Sequence, residues 1–142
     1  MIDEIIDYRL LDHTADLGLE VAAPDQASLF DKAGKALLHV MLGSILSKGS
    51  DIIKVSLSGD DPPDLMVRWL TEILYLLEGE RVVVTDININ SITSTTINAT
   101  LSVLPYDPLQ YKVMREVKAV TYHQIEVAEK NGTWRARVIF DL

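Results

Sequence analysis

Two aspartates and a histidine lie within five residues in the stretch Asp12-His13-Thr14-Ala15-Asp16. Hard divalent cations such as Ca²⁺ and Mg²⁺ prefer carboxylate oxygens, so a loop that supplies two of them is half of a cation site. The other half must come from elsewhere in the chain. We expect it to come from Asp141 and Leu142, because a chain end held in a strand supplies an aspartate and a terminal carboxylate within one residue. The sequence therefore predicts a divalent-cation site where these two segments meet.

Each of these polar residues also has an ordinary structural explanation. Aspartate commonly stabilises turns next to Thr or Gly, which would explain Asp12 and Asp16 without a metal. His13 could be a ligand, but we expect it to donate a hydrogen bond to a neighbouring carbonyl and so fix the loop. A second acidic stretch, Asp60-Asp61-Pro62-Pro63-Asp64, also resembles a metal-binding loop, but helix capping is sufficient to explain it.

The composition excludes several kinds of chemistry. The chain has 142 residues, a formal net charge of −8 and no cysteine. Without cysteine there is no zinc–thiolate centre, cysteine nucleophile or disulfide. The negative charge repels phosphate backbones at long range, so we expect no strong direct binding of nucleic acid. The sequence also lacks a glycine-rich phosphate loop, a nucleophile elbow and a His-x-x-x-His pair.

Length and terminal residues bear on domain organisation and location. A chain of this length predicts a single domain, residues 1–142, with enough buried apolar surface to fold without disulfides or structural metal ions. Asp3, Glu4 and Asp7 occupy the positions where a signal peptide has basic and apolar regions. No apolar run approaches the ~20 residues that a bilayer requires. We therefore expect a cytoplasmic protein with no membrane segment.

The periodicity of apolar residues predicts the elements that must position these groups. Alternating segments indicate strands, and the helices are marked by capping residues and by closing glycines. We expect strands at residues 5–11, 17–22, 52–58, 82–89, 95–103, 117–127 and 133–141, a helix from Asp25 to Gly43, and a helix from the Asp60–Asp64 stretch to Gly79. This order predicts an α+β fold in which two helices pack on a mainly antiparallel sheet. Residues 105–115 are expected to form an extended loop.

The clearest turn signal is Asn131-Gly132 between two alternating segments, which is typical of a two-residue β-hairpin. In a type I′ hairpin Lys130 pairs with Thr133. Counting outward from that pair places Asp141 opposite Tyr122.

This register also predicts which side chains share a face of the sheet. Lys118, Val120 and Tyr122 are two residues apart, so they point to the same side as Asp141. Lys118 then lies ~13 Å along the strand from Tyr122, too far to pair directly with Asp141. Its long side chain would instead reach a ligand or partner held near the terminal carboxylate. A one-residue bulge would reverse these facings.

Four separated blocks of the sequence occur in the order typical of one known family: Asp12-His13-Thr14-Ala15-Asp16, Trp69-Leu70, the segment 116–123 (EVKAVTYH) and the segment 134–142 (WRARVIFDL). In these blocks the chain resembles the archease family over essentially its whole length. The resemblance implies a small cytoplasmic protein with a duplicated strand-helix-strand-strand (SHS2-like) fold. It also implies a role in tRNA splicing. The family's partner is the RtcB-type RNA ligase that joins tRNA exon halves.

In that family archease is not the ligase but its activator. It promotes attachment of GMP from GTP to the ligase's histidine, supports multiple turnover and relaxes nucleotide choice. The family's metal site falls on four residues of this chain: Asp12, Asp16, Asp141 and Leu142, the last through its carboxylate or carbonyl. The family's functional lysine falls on Lys118. The implied metal is divalent, Ca²⁺ or Mg²⁺/Mn²⁺, and His13 and Tyr122 are candidates for supporting positions around it.

Three functions remain open at this point. The first is an accessory factor whose metal-bearing acidic tip docks at the ligase active site. The second is a metal-dependent phosphohydrolase acting on a small phosphate ester, for which the sequence offers no obvious nucleophile or complete acid–base pair. The third is an interaction module in which the carboxylates only cap turns. We favour the accessory factor.

Overall fold

The order of strands and helices confirms the predicted α+β class. The computed structural model describes residues 7–12, 16–44 and 48–142, and for Asp12 the backbone only. In those ranges there are two helices, α1 (Gln26–Leu42) and α2 (Pro62–Glu78). The strands are β1 (Arg9–Asp12), β2 (Asp16–Ala23), β3 (Asp51–Ser58), β4 (Val82–Ile92), β5 (Thr96–Pro105), β6 (Ala119–Val120), β7 (Glu126–Lys130) and β8 (Thr133–Asp141). The strand predicted over residues 5–11 is thus observed as β1, and residues 1–6 lie outside the described ranges.

The strands form two sheets, and every strand pair in the described ranges is antiparallel. One sheet has five strands: β1, β2 and β8 lie side by side, and β6 and β7 both pair with the free edge of β8. The other sheet has the order β3-β5-β4. Both helices contact strands of both sheets. The predicted packing of two helices on antiparallel sheet is therefore confirmed.

Both helices begin and end where the sequence predicts. The Asp25 carboxylate caps α1 by accepting a hydrogen bond from the Ser28 N–H, and Gly43 follows the last turn with φ 73°. The Asp61 carboxylate caps α2 in the same way, by accepting from the Asp64 N–H. Caps of this kind satisfy backbone donors that have no partner inside the helix. Neither of these helices is long and apolar enough to cross a membrane.

The core lies between the helices and one face of each sheet. Trp69 of α2 is fully buried, and its indole N–H donates to the Phe30 carbonyl of α1 at 2.8 Å. Alternate residues of β2 and β8 also belong to this core: Leu17, Leu19, Val21, Ala136, Val138 and Phe140. Because side chains alternate along a strand, the residues between these point away from the helices. Asp16 and Asp141 are therefore on the outer face of the five-stranded sheet.

The hairpin prediction is correct at the turn. Asn131 and Gly132 both have positive φ, 54° and 80°, as a type I′ turn requires. Lys130 pairs with Thr133, and the same register continues along β7.

Farther from the turn the predicted register is wrong. Between β6 and β7 the chain leaves the edge of β8. In β6, Ala119 is opposite Asp141. Five residues lie between Val120 and Glu126, whereas only two lie between their partners on β8, so three extra residues bulge out. Asp141 is consequently opposite Ala119 rather than Tyr122. Because the offset is odd, Val120 shares a face with Phe140 instead of with Asp141.

The bulged segment is held against α2. The Tyr122 hydroxyl donates to Asp64 Oδ1 at 2.6 Å. The other oxygen of that carboxylate accepts from the Asp60 N–H at 2.8 Å and from Arg68 Nε at 3.0 Å. The Tyr122 hydrogen bond, then those from Asp60 and Arg68, lower the pKa of Asp64 to about 2. One carboxylate thus joins the start of α2 to the connection between β6 and β7.

We expect Trp69→Phe to lower the free energy of unfolding by about 1–3 kcal/mol. The smaller ring leaves a cavity, and the Phe30 carbonyl loses the hydrogen bond from the indole. Urea denaturation followed by far-UV circular dichroism measures the change. Leu109→Ala is the control, because Leu109 is exposed and its truncation should shift stability by no more than about 0.5 kcal/mol. Equal midpoints for the two variants would contradict the role of Trp69 as a core anchor.

We expect the stabilising effect of the Tyr122 hydroxyl to depend on pH. The folded-state pKa of Asp64 is lowered, so the bond contributes fully above the unfolded pKa of about 4 and is lost as the pH falls toward about 2. The difference in stability between wild type and Tyr122→Phe, measured by urea unfolding from pH 2.5 to 7, should therefore shrink below about pH 4.

The same substitution in an Asp64→Asn background provides the control for this titration. There the effect of Tyr122→Phe should no longer change with pH. A wild-type difference that is equally large at pH 2.5 and pH 7 would show that the hydroxyl does not act through an ionised Asp64.

Candidate metal and partner site

The two acidic segments that the sequence predicts to converge do meet in the fold. Asp16, the first residue of β2, is the Cα partner of Asp141, the last residue of β8. Asp12, the last residue of β1, pairs with Leu17 on the other edge of β2. Leu142 follows Asp141 directly. The backbone of all four predicted metal ligands therefore lies at one end of the five-stranded sheet.

The Asp16–Asp141 pair has an electrostatic consequence. Cross-strand partners share a face, with their Cβ atoms about 4.5–5.5 Å apart, and like charges in that position repel. Asp141 is exposed and Asp16 is half-buried, so water screens this repulsion only in part. A cation between the two carboxylates would remove the repulsion.

The donor set fits a hard divalent ion. Carboxylate oxygens at the ends of adjacent strands are the ligand type that Ca²⁺, Mg²⁺ and Mn²⁺ bind. Within residues 7–11, 16–44 and 48–142, no group of three or more His, Asp or Glu side chains could hold an ion. A complete site would thus need the Asp12 side chain or an oxygen of Leu142 in addition to Asp16 and Asp141.

Lys118 lies beside Asp141, closer than the sequence predicts. Its backbone N–H donates to the Asp141 carbonyl at 2.8 Å, and its side chain is exposed. The prediction of ~13 Å along the strand assumed an unbroken hairpin, and the three extra residues before β7 shift Lys118 toward the end of β8. The acidic pair and the lysine are therefore neighbours in the backbone ladder.

The residues after β6 hold Lys118 and the end of β8 together. Thr121 donates to the Ile139 carbonyl twice, from its N–H at 3.0 Å and from its hydroxyl at 2.9 Å. Tyr122 then turns to the helix side, where its hydroxyl binds Asp64. Of the two residues predicted to support the ligands, Tyr122 thus directs its hydroxyl toward α2, and His13 lies outside the described residues. The Tyr122–Asp64 bond has no signal in sequence spacing, because it joins residues 58 positions apart.

Comparison with known proteins identifies relatives over almost the whole chain. The Archease protein family model matches residues 8–142. A protein archease from Methanosarcina mazei is 32% identical over 139 residues, with 95% of each chain covered. The protein archease of Methanosarcina barkeri is 30% identical, with the same coverage.

Two solved structures have the same fold. The solution structure of Methanobacterium thermoautotrophicum protein 1598 superposes with a TM-score of 0.76, at 25% identity and with 100% of both chains covered. The crystal structure of an archease described as a possible chaperone, from Thermotoga maritima, has a TM-score of 0.65 at 16% identity, with 93% of this chain and 94% of that chain covered. Together with the family match, these similarities establish that this chain belongs to the archease protein family.

Proposed function

We propose that this protein is an accessory factor that activates an RtcB-type RNA ligase. It promotes guanylylation of the ligase and its multiple turnover, and it acts through an acidic tip that holds a divalent cation. The observation that carries the proposal is the cross-strand pairing of Asp16 with Asp141, with Lys118 bonded to the Asp141 backbone. An accessory role also agrees with the Thermotoga relative, which is described as a possible chaperone.

In this proposal the carboxylates of Asp12, Asp16 and Asp141, with an oxygen of Leu142, hold the ion. A bound divalent ion supplies positive charge that neutralises the triphosphate of a nucleotide during in-line attack. The ladder between β2 and β8 holds the backbones of Asp16 and Asp141 opposite each other, which favours binding of one ion by both carboxylates.

Lys118 contributes a second positive charge to the tip. Its backbone bond to Asp141 keeps it beside the acidic pair, while its exposed ammonium group is free to approach a partner. A lysine ammonium is a compact charge on a flexible stem, which suits contact with a phosphate or a carboxylate of the ligase. In this proposal the ligase contacts both the cation site and the neighbouring lysine.

Multiple-turnover ligation tests the proposal directly. Small amounts of the wild-type protein, added to the ligase with GTP, Mn²⁺ and RNA halves, should raise the number of turnovers. Asp141→Ala and Lys118→Ala should lose most of this stimulation, because each removes a group of the tip. Lys54→Ala is the control, since Lys54 is an exposed lysine on the other sheet.

Two results would contradict the proposal. One is stimulation by Asp141→Ala and Lys118→Ala equal to that of wild type. The other is hydrolysis of nucleotides or small phosphate esters by the purified protein without ligase, which would make it a metal-dependent phosphohydrolase.

Binding of the cation should also raise the free energy of unfolding. In chelator, we expect Asp16→Asn to be as stable as wild type or a few tenths of a kcal/mol more stable, because repulsion with Asp141 is removed. With Ca²⁺ or Mn²⁺ at about 100 times the Kd, wild type should gain about 2.7 kcal/mol and the variant much less. Thermal unfolding with and without the ion measures both effects.

Asp51→Asn is the matched control, because Asp51 is an exposed carboxylate at the start of β3. It should gain as much from the ion as wild type does. A wild-type protein whose unfolding is unchanged by Ca²⁺, Mg²⁺ and Mn²⁺ would rule out the cation site.

A further inference from the structure

The loop between β5 and β6 exposes large apolar side chains. Leu109 is 97% exposed, Met114 69% and Val113 41%. All three lie in residues 107–118, which we call the basic-apolar loop. Scattered apolar residues are normal on protein surfaces, but three within six positions of one loop form a patch of the kind that marks interaction sites.

The backbone of this loop is anchored at several points. Tyr111 and Val117 are buried in the core, on either side of the exposed residues Val113 and Met114. The Met114 N–H donates to the Met41 carbonyl near the end of α1 at 2.6 Å. The exposed side chains are thus presented outward by a backbone fixed to the fold.

The charge of the loop is opposite to that of the chain. Residues 107–118 carry three basic side chains, Lys112, Arg115 and Lys118, against two acidic side chains, Asp107 and Glu116, for a net charge of +1. The whole chain has a net charge of −8. A local positive patch on a negative protein favours docking to a negative surface and sets its orientation.

The loop is continuous with the candidate site. Its last residue, Lys118, is bonded through its backbone to Asp141. Met114 is four residues earlier, so its Cα lies within ~14 Å of Lys118 even if the chain were fully extended. A partner that covers the tip therefore also reaches Met114.

We infer that the basic-apolar loop is a docking surface for a partner protein that offers an apolar pocket bordered by acidic side chains. The inference rests on the proposed function, in which that partner is the ligase. Leu109 and Met114 enter the pocket, and Lys112 pairs with its acidic border.

The side chains favour protein over RNA as the occupant. Surfaces that bind single-stranded RNA stack bases on exposed aromatic rings. The exposed apolar side chains in this loop are aliphatic or thioether, and the ring of Tyr111 is buried. Methionine is common at protein-binding surfaces because it adapts to irregular pockets.

The test separates docking from action at the tip. The concentration of this protein that gives half-maximal stimulation of multiple-turnover ligation reports docking, and the plateau at saturation reports what the tip does once docked. Leu109→Asp and Met114→Asp should each raise the half-maximal concentration about tenfold or more and leave the plateau unchanged. Ile52→Asp, at a residue 65% exposed on β3, is the control that adds the same charge elsewhere.

Lys112→Glu should raise the same half-maximal concentration and weaken its dependence on salt, because it removes a charge at the rim of the contact. Circular dichroism and thermal unfolding establish that each variant is folded. All four positions are exposed, so the substitutions bury no charge.

The possible failures can be told apart. No stimulation by the wild-type protein overturns the proposed function and the docking surface together. Wild-type stimulation with unchanged half-maximal concentrations in the loop variants overturns the docking surface alone. Two further results also overturn it: ligase-free RNA binding that Met114→Asp abolishes, and a wild-type dimer in sedimentation that Met114→Asp dissociates.

Discussion

The pairing of β2 with β8 is the interaction on which the candidate site depends. Eight consecutive residue pairs join these strands, from Ala23 opposite Trp134 to Asp16 opposite Asp141. On one face, this ladder buries apolar residues against the helices. On the other face, at its end, it places two carboxylates directly opposite each other. The burial of the inner face specifies the register, because a one-residue slip of either strand would turn its apolar side chains outward and its aspartate toward the core.

This arrangement places electrostatic repulsion at the proposed cation site. Opposed carboxylates cost a few tenths of a kcal/mol in the absence of a counter-ion, and the apolar contacts of Leu17 and Phe140 on the inner face offset that cost. A cation bound at the proposed site would relieve the repulsion and so gain affinity. The fold can thus keep this acidic pair at the end of the sheet without losing its structure.

The connection between β6 and β7 determines what lies beside the acidic pair. Its three extra residues bring Lys118, rather than a residue nearer the turn, next to Asp141. The same residues carry Tyr122 over to α2, where Asp64 accepts its hydroxyl. In a regular hairpin Lys118 would be four residues from the partner of Asp141 instead of one. The bulge therefore links the lysine to the carboxylates and the sheet to the helix.

Much of the fold could be predicted because its determinants are local. Capping by Asp25 and Asp61 and the turn at Asn131-Gly132 depend on neighbouring residues, and the burial of Trp69 follows from helical periodicity. The convergence of Asp16 with Asp141 was predicted from the types of residue at two chain segments.

The position of Lys118 was not predictable in the same way. It depends on a bulge that the residue types from Thr121 to Ile125 do not predict. It also depends on a hydrogen bond between Tyr122 and Asp64, two residues that only the tertiary fold brings together. Resemblance to a family makes the lysine a candidate functional residue, whereas its position beside Asp141 required the structure. Interactions between neighbouring residues determine the helices, strands and turns, whereas long-range packing determines the register between strands.

Paramagnetic broadening by Mn²⁺ in an NMR titration tests the central claim most directly. If the ends of β2 and β8 form a cation site, broadening should be strongest at the backbone amides of Asp16, Lys118 and Asp141, and weakest along β3. Broadening centred on another acidic stretch, such as Asp60 to Asp64, would contradict the account. So would broadening spread evenly over the negative surface.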